Sequence, residues 1–308
     1  MTTALITHPA CLEHVPPPGH PERVERLKAV LDALGSEEFS GLQRESAPRA
    51  AREEIARVHP ESYIDALLES VPPNGYAAID ADTILSSGSG EAALRAAGSA
   101  VYGVTLVMEG KATNVFCAVR PPGHHAEPNQ AMGFCIFNTV AIAAEHARSV
   151  YGLRRVAVVD FDVHHGNGTQ AAFWNDANLF YASTHQMPLY PGTGSPNEKG
   201  VGNILNCPLP PGAGSRQFRA IISDSVMPAL ARFRPELVLI SAGFDAHRAD
   251  PLANLELEDD DFGWVTAELC AFAGRVCGGR VVSTLEGGYH IEALTSSVLS
   301  HVRALMRA

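Results

Sequence analysis

Along the chain, short runs of aliphatic and β-branched residues alternate with longer stretches whose apolar positions recur at helical spacing. The runs predict strands over residues 115–119, 156–160, 179–183, 204–205, 237–241 and 281–285. Between them the spacing predicts helices over 139–149, 169–174, 217–233 and 262–276, and a last one from 291 onward. Strands this continuously apolar belong where helices cover both faces of a sheet, and strand–helix alternation argues that they run parallel. The expected fold is therefore α/β, a three-layer α/β/α arrangement around a mostly parallel sheet. Before residue 114 the pattern is looser. Leu5 and Ile6 suggest a short strand. His20-Pro21-Glu22 is expected to open a helix with Val24, Leu27, Val30, Leu31 and Leu34 inward and Gly35 at its end. Residues 60–70 predict another helix, 72–75 a turn and 80–89 a polar loop, which leads into an Ala-rich helix through Met108. In that loop Gly88-x-Gly90-x-x-Ala93 has the spacing of a dinucleotide fingerprint. No buried strand opens a βαβ unit before it, so the glycines are read as a helix entry.

Composition narrows the picture. A chain of 308 residues with 46% hydrophobic content suits one large domain over residues 1–308. Net charge is −11 and the basic residues are scattered, which argues against nucleic acid or an anionic membrane as partner. The amino terminus lacks a basic start with a long apolar core, and no stretch nears the ~20 apolar residues of a membrane span. A soluble, cytoplasmic protein is expected. Six cysteines without a C-x-x-C pair read as reduced core residues. The acidic run at 256–261 reads as a solvated helix start.

Every polar cluster of note follows a predicted strand. These are Arg120-Pro-Pro-Gly-His124-His125, Asp160-x-Asp162-x-His164-His165, Ser183-Thr184-His185, Ser241-Ala-Gly-Phe-Asp245-Ala-His247 and Glu286-Gly-Gly-Tyr289. Each alone is ordinary, but five at the carboxyl ends of strands share the rim where parallel sheets build their sites. A catalytic zinc needs about three protein ligands and an open position, and Asp162, His164 and Asp245 supply such a set. The tandem His124-His125 can move a proton, and Tyr289, between flexible neighbours, can donate to an oxyanion. The chemistry these residues suggest is metal-assisted amide hydrolysis.

On these motifs, together with His14-x-Pro-Pro-Pro-Gly-His-Pro-Glu22, Gly133-Phe-Cys-x-Phe-Asn138 and Pro191-Gly-Thr-Gly194, the sequence resembles the histone deacetylase family over nearly its whole length. The likeness is to the class II and bacterial deacetylase-like amidohydrolase branch, which includes acetylpolyamine amidohydrolases. It implies an arginase/deacetylase fold and zinc-dependent removal of an acetyl or related acyl group. The substrate would be acyl-lysine in a protein or peptide, or a small acetylated amine. Carried onto this chain, it makes Asp162, His164 and Asp245 the zinc ligands and His125 the general base and acid, with Asn167 as its partner. His124, held by Asp160, would stabilise charge, and Tyr289 would polarise the carbonyl. One potassium ion would fall on Asp160, Asp162, His164, Ser183 and Thr184, and a second near Phe173, Asp176, Leu179 and Asn203. Phe134 and Tyr190 would wall the acyl tunnel, and Gly133 would accept a hydrogen bond from the departing group. Leu252 stands where polyamine-selective relatives can place a Glu gate, which leans toward acyl-lysine. The rivals are an acetylpolyamine or other small-amide hydrolase, a non-catalytic acyl-lysine or metal-binding module, and a binuclear manganese ureohydrolase. Tyr289 and the tandem histidines argue against the module. The same histidines, standing where a second metal needs carboxylates, argue against the ureohydrolase.

Overall fold

The structure, a computed structural model, describes residues 2–308, so Met1 of the expected 1–308 span lies outside the described residues. The strands are β1 Thr3–Thr7, β2 Gln43–Ser46, β3 Tyr76–Ala78, β4 Ile84–Ser86, β5 Asn114–Cys117, β6 Val156–Asp160, β7 Leu179–Gln186, β8 Ile204–Leu209, β9 Leu237–Ala242 and β10 Val281–Leu285. Eight of them form one sheet in the order β2-β1-β5-β10-β9-β6-β7-β8, with every neighbouring pair parallel. β5, β6, β9 and β10 are buried at every position, as their largely apolar runs require. Helices Ser89–Met108 and Thr139–Tyr151 pack on each other and on the sheet, and Val24–Ala33, Asp259–Val276 and Ile291–Arg307 form a second packed set. The α/β/α expectation holds.

This order is what builds the site. The five strands that carry polar clusters, β5, β10, β9, β6 and β7, are contiguous in the sheet. Register aligns Asp160 with Ser183 on one side and Ser241 on the other, so the clusters leave the sheet at one level.

Four expectations near the edges need correcting. The first helix begins at Val24, because Glu22 is drawn into a buried ion network and His20 Nε2 bonds the Asp82 carbonyl oxygen. The expected polar loop at 80–89 contains β4, which pairs with β3 in an antiparallel hairpin whose turn is held by Asp80 Oδ1 accepting from Asp82 and Thr83 N–H. β2, Gln-Arg-Glu-Ser, has no apolar run to betray it and sits at the sheet edge. The expected helix over 217–233 passes through a π-helical turn at Ile222–Val226, just ahead of Pro228, which has no N–H to continue the ladder. The acidic run does open a helix, but Asp261 is buried and accepts from Ser215 and Arg219 instead of facing solvent. Gly88 abuts the Glu13 backbone at the head of its helix, a packing role rather than a cofactor turn.

Candidate active site

β6 ends at Asp160, and Asp162 and His164 follow before the helix Asn167–Phe173; Asp245 follows the neighbouring strand β9. The two loops meet over buried ground. His164 Nδ1 lies 3.1 Å from Asp162 Oδ1 and 3.1 Å from Asp245 Oδ2. Backbone amides hold the other oxygens: Gly287 N–H donates to Asp162 Oδ2 at 2.8 Å and Val163 N–H to Asp245 Oδ1 at 2.9 Å. Glycine is required here, since a Cβ on Gly243 or Gly287 would overlap these carboxylates. One ring nitrogen carries at most one proton and cannot donate to both acids. Burial, and then the charge of Asp162, push the Asp245 carboxyl up to about 7, while the two carboxylates outweigh burial and hold the His164 imidazole up at about 10. Two oxygens and a nitrogen that converge in this way, all within 4.8 Å of one another, are a fitting donor set for a divalent cation such as zinc.

His124 and His125 follow β5 and stack beside this triad. His124 Nδ1 lies 3.0 Å from Asp160 Oδ2, which also accepts from the Tyr181 hydroxyl at 2.9 Å. Burial alone would lower the His124 imidazole, but Asp160 and Asp162 outweigh it and hold its pKa up at about 10. His125 behaves oppositely. Its Nδ1 lies 2.9 Å from Asn167 Oδ1, and Asn167 Nδ2 donates to Glu127 Oε1 at 2.8 Å. A carboxylate only accepts, so Glu127 fixes the amide: Oδ1 faces the imidazole, Nδ1 carries the proton, and Nε2 keeps its lone pair. Burial, then the charges of His124 and His164, hold His125 well below the usual histidine value.

Tyr289 faces the triad from the end of β10. Its N–H donates to Asp250 Oδ2 at 2.7 Å, and the Arg26 guanidinium lies 4.8 Å from its ring centroid. Burial pushes the phenol well above its ordinary value, so it stays protonated and able to donate. Phe134 stands 5.8 Å from the Tyr289 ring, and Tyr190 stands edge-on 5.2 Å from the His125 ring. The two aromatics thus flank the histidines and Tyr289 as walls. Gly133, at φ +55°, brings its backbone against the His125 ring where a Cβ would collide. Leu252 lies on the loop that holds Tyr289, its N–H donating to Asp250 Oδ1 at 3.0 Å.

Residues 20–305 match the histone deacetylase domain. The chain belongs to the histone deacetylase family. It is 42% identical over 87% of its length to a histone deacetylase-like amidohydrolase of Pseudomonas aeruginosa, covering 71% of that protein. It is 41% identical over 93% of its length to histone deacetylase 14, chloroplastic, of Arabidopsis thaliana, covering 73% of that protein. The solved structure of the HDA15 HD domain superposes with a TM-score of 0.94 at 33% identity, over 99% of this chain and 88% of that one. The resemblance drawn from the motifs therefore holds, and the chain is a hydrolase of a family that is generally metal-dependent.

Within this deacetylase fold the two expected potassium groups are also drawn together. Asp160 and Ser183 are register partners, and the Thr184 hydroxyl beside them is buried without a hydrogen-bond partner. Farther out, the carbonyl oxygens of Phe173, Asp176 and Leu179 all converge on Asn203 Nδ2 at 2.8, 2.9 and 2.6 Å. Phe173 O and Asp176 O also accept from the Asp176 and Leu179 N–H groups at 3.1 and 3.0 Å, so the cage is a ring of carbonyl oxygens around one amide whose acceptors are already served.

Some residues of the site carried no assigned role in the sequence. Arg26 Nε and Nη2 donate to the backbone oxygens of Gly288 and Glu286 at 2.5 and 2.6 Å and so hold the Tyr289 segment. Its local signal is a charge on the apolar stripe four residues after Glu22. Asp250 and Tyr181 had no such signal. A second triplet, His124, Cys135 and Glu286, also brings donor atoms within 4.8 Å. Its Glu286 oxygens already accept from Gly123, His124 and Ser241, so that carboxylate is engaged in holding backbone and a hydroxyl. Among the described residues no helix is long and apolar enough to cross a membrane.

Proposed function

We propose that this chain is a zinc-dependent deacetylase that hydrolyses the amide of acetyl-lysine, or a related acyl-lysine, to free amine and carboxylate, with one catalytic unit over residues 1–308. The observation that carries the reading is the Glu127–Asn167–His125 relay aimed beside the Asp162, His164 and Asp245 donors between two aromatic walls. When bound to those three residues, zinc would polarise the acyl carbonyl and acidify a water. His125 Nε2, with its lone pair free, takes the proton from the attacking water and returns it to the leaving amine. His124, paired with Asp160, holds positive charge next to the reacting carbon, and the Tyr289 hydroxyl donates to the developing oxyanion. Phe134 and Tyr190 exclude water along the acyl stem, and the Gly133 carbonyl would accept from the amine. Potassium in the Asp160/Asp162/His164/Ser183/Thr184 group and in the Asn203 cage would stiffen the loops that carry these residues. Six free, buried cysteines suit a reducing, cytoplasmic setting.

A second reading is favoured by one observation. Asp80 and Asp82 belong to the turn next to Phe134, whose N–H donates to Thr83 Oγ1 at 3.1 Å, so two carboxylates stand near the tunnel mouth where a second ammonium of an acetylpolyamine would lie. Turnover measured side by side on acetyl-lysine peptides, longer acyl-lysines and acetylated polyamines separates the two. Polyamines ahead by a wide margin would replace acyl-lysine as substrate, and two manganese ions per chain in the purified protein would end the deacetylase reading.

A further inference from the structure

Glu286 joins parts of the site that the sequence keeps far apart. It opens the segment that leads from β10 to Tyr289 and is 1% exposed. Its Oε2 accepts from Gly123 N–H at 2.7 Å and from His124 N–H at 3.2 Å, and its Oε1 accepts from the Ser241 hydroxyl at 3.2 Å. Its backbone is pinned as well: the N–H donates to the Ala242 oxygen at 2.9 Å, and its own oxygen accepts from Arg26. Among the described residues, neither Gly123 N–H nor His124 N–H donates to any other group. The turn that aims both imidazoles thus has a single acceptor for two buried amides. That acceptor stands three residues from Tyr289, and the next residue, Gly287, donates to Asp162. Volume alone would be filled by an aliphatic side chain. An acceptor at this reach fixes where the histidine turn stands.

We propose that Glu286 is a positioning residue: by accepting from Gly123 and His124 N–H it fixes the tandem-histidine turn against the Tyr289 segment at the spacing the hydrolysis requires. This rests on the deacetylase reading, and Glu286 itself touches neither substrate nor reacting atoms. What matters is the reach of the oxygen and not its charge. Glutamine keeps the reach, turning Oε1 toward the two amides and its NH2 toward the Ser241 hydroxyl. Aspartate keeps the charge and withdraws the acceptor by one methylene.

The test compares wild type, Glu286→Gln and Glu286→Asp as zinc-loaded full chains on whichever acetylated substrate the wild type turns over. A zinc-binding hydroxamate titrates intact sites, so that kcat refers to folded, metal-loaded protein. The expected result is a Gln variant within about threefold of wild type, and an Asp variant that loses about 10²-fold in kcat per titrated site while KM stays within about threefold, because a small misplacement of reacting groups falls on turnover. An Asp variant equal to or faster than the Gln variant overturns the proposal. So does a Gln variant without titratable sites, or an Asp variant that forms none while Gln does, since the residue would then hold the fold and not the geometry. A wild-type chain inactive on every acetylated lysine and polyamine removes the deacetylase reading itself and is distinguishable from all of these.

Discussion

Glu22 with Arg26, Arg120 and His14 forms one buried cluster of charge, and Asp162 with His164 and Asp245 forms another. In the first, both arginines donate to the Glu22 carboxylate, and their remaining N–H groups end on the backbone oxygens of Cys11, His14, Glu286 and Gly288. The network is closed: two guanidiniums share one carboxylate, and backbone oxygens accept from the N–H groups it leaves over. In the second, two carboxylates share one imidazole, and their other oxygens are tied back to amides so that Asp162 Oδ1 and Asp245 Oδ2 converge. Burial is equal, but the sign of the excess is not: two guanidiniums to one carboxylate in the first, two carboxylates to one imidazole in the second. A closed network can hold backbone in place, here the segment that carries Tyr289, whereas a pair of converging carboxylates calls for a cation from outside.

The strongest way to break this contrast is to remove one converging oxygen. Asp245→Asn should abolish metal retention and lower turnover by more than about a thousandfold, yet fold, because it relieves an excess of negative charge. Elemental analysis and thermal melting of the purified variant check both halves. A variant that keeps its metal and its activity would mean that Asp245 is not a ligand. In the closed network the same kind of change should act on stability. Glu22→Gln leaves two buried guanidiniums short of their anion and should cost about 3–5 kcal/mol in urea unfolding of the metal-loaded chain. A cost below about 1 kcal/mol would show that the carbonyls alone suffice.

Tyr289 belongs to both clusters, stacked on Arg26 and facing the triad. Tyr289→Phe keeps the stacking and removes only the donor, so kcat should fall about 10²-fold with metal content and melting unchanged. Unchanged turnover would take the hydroxyl out of the mechanism.

The open cluster was far more legible in the sequence than the closed one. β5, β6, β9 and β10 announce themselves as largely apolar runs, and each is followed by its polar residues within a few positions, so Asp162, His164, Asp245, His125 and Tyr289 could be read from local pattern. Asn167 and the walls Phe134 and Tyr190 needed the family likeness. The closed network pairs residues that no local pattern joins: Arg26 with Gly288, Glu22 with Arg120. The same limit explains the edges of the fold, where β2 is polar throughout and the first helix starts late because Glu22 is claimed by Arg120. Glu286 lay in a quoted motif, but its partners Gly123 and His124 are more than a hundred residues away, and only their geometry gives it a task.

The smallest effect is also the sharpest test of charge in the closed network. Burial works against the Glu22 carboxylate, but Arg120 and His14 more than answer it and hold its pKa well below the usual range. An unfolded glutamate takes up a proton near about 4.3, and the folded one only at much lower pH. Between those values the unfolded chain binds more protons, so stability falls as pH falls. The contribution of the Glu22 charge is therefore complete above pH ~5.5 and is lost progressively below ~4.3. Glu22→Gln has no such group, and titrations away from it are common to both proteins and cancel in the difference; His14, 3.3 Å from the Glu22 carboxylate, does not, so the comparison is made between Glu22→Gln and wild type both carrying His14→Gln. The gap in unfolding free energy between these two proteins should stay flat from pH 7 to 5.5 and narrow by about 1 kcal/mol or more on acidification toward 3.5. A gap of the same size at both ends would mean that Glu22 serves by shape and hydrogen bonding alone, and the division between a network closed by its own partners and a site with converging carboxylates would have to be redrawn.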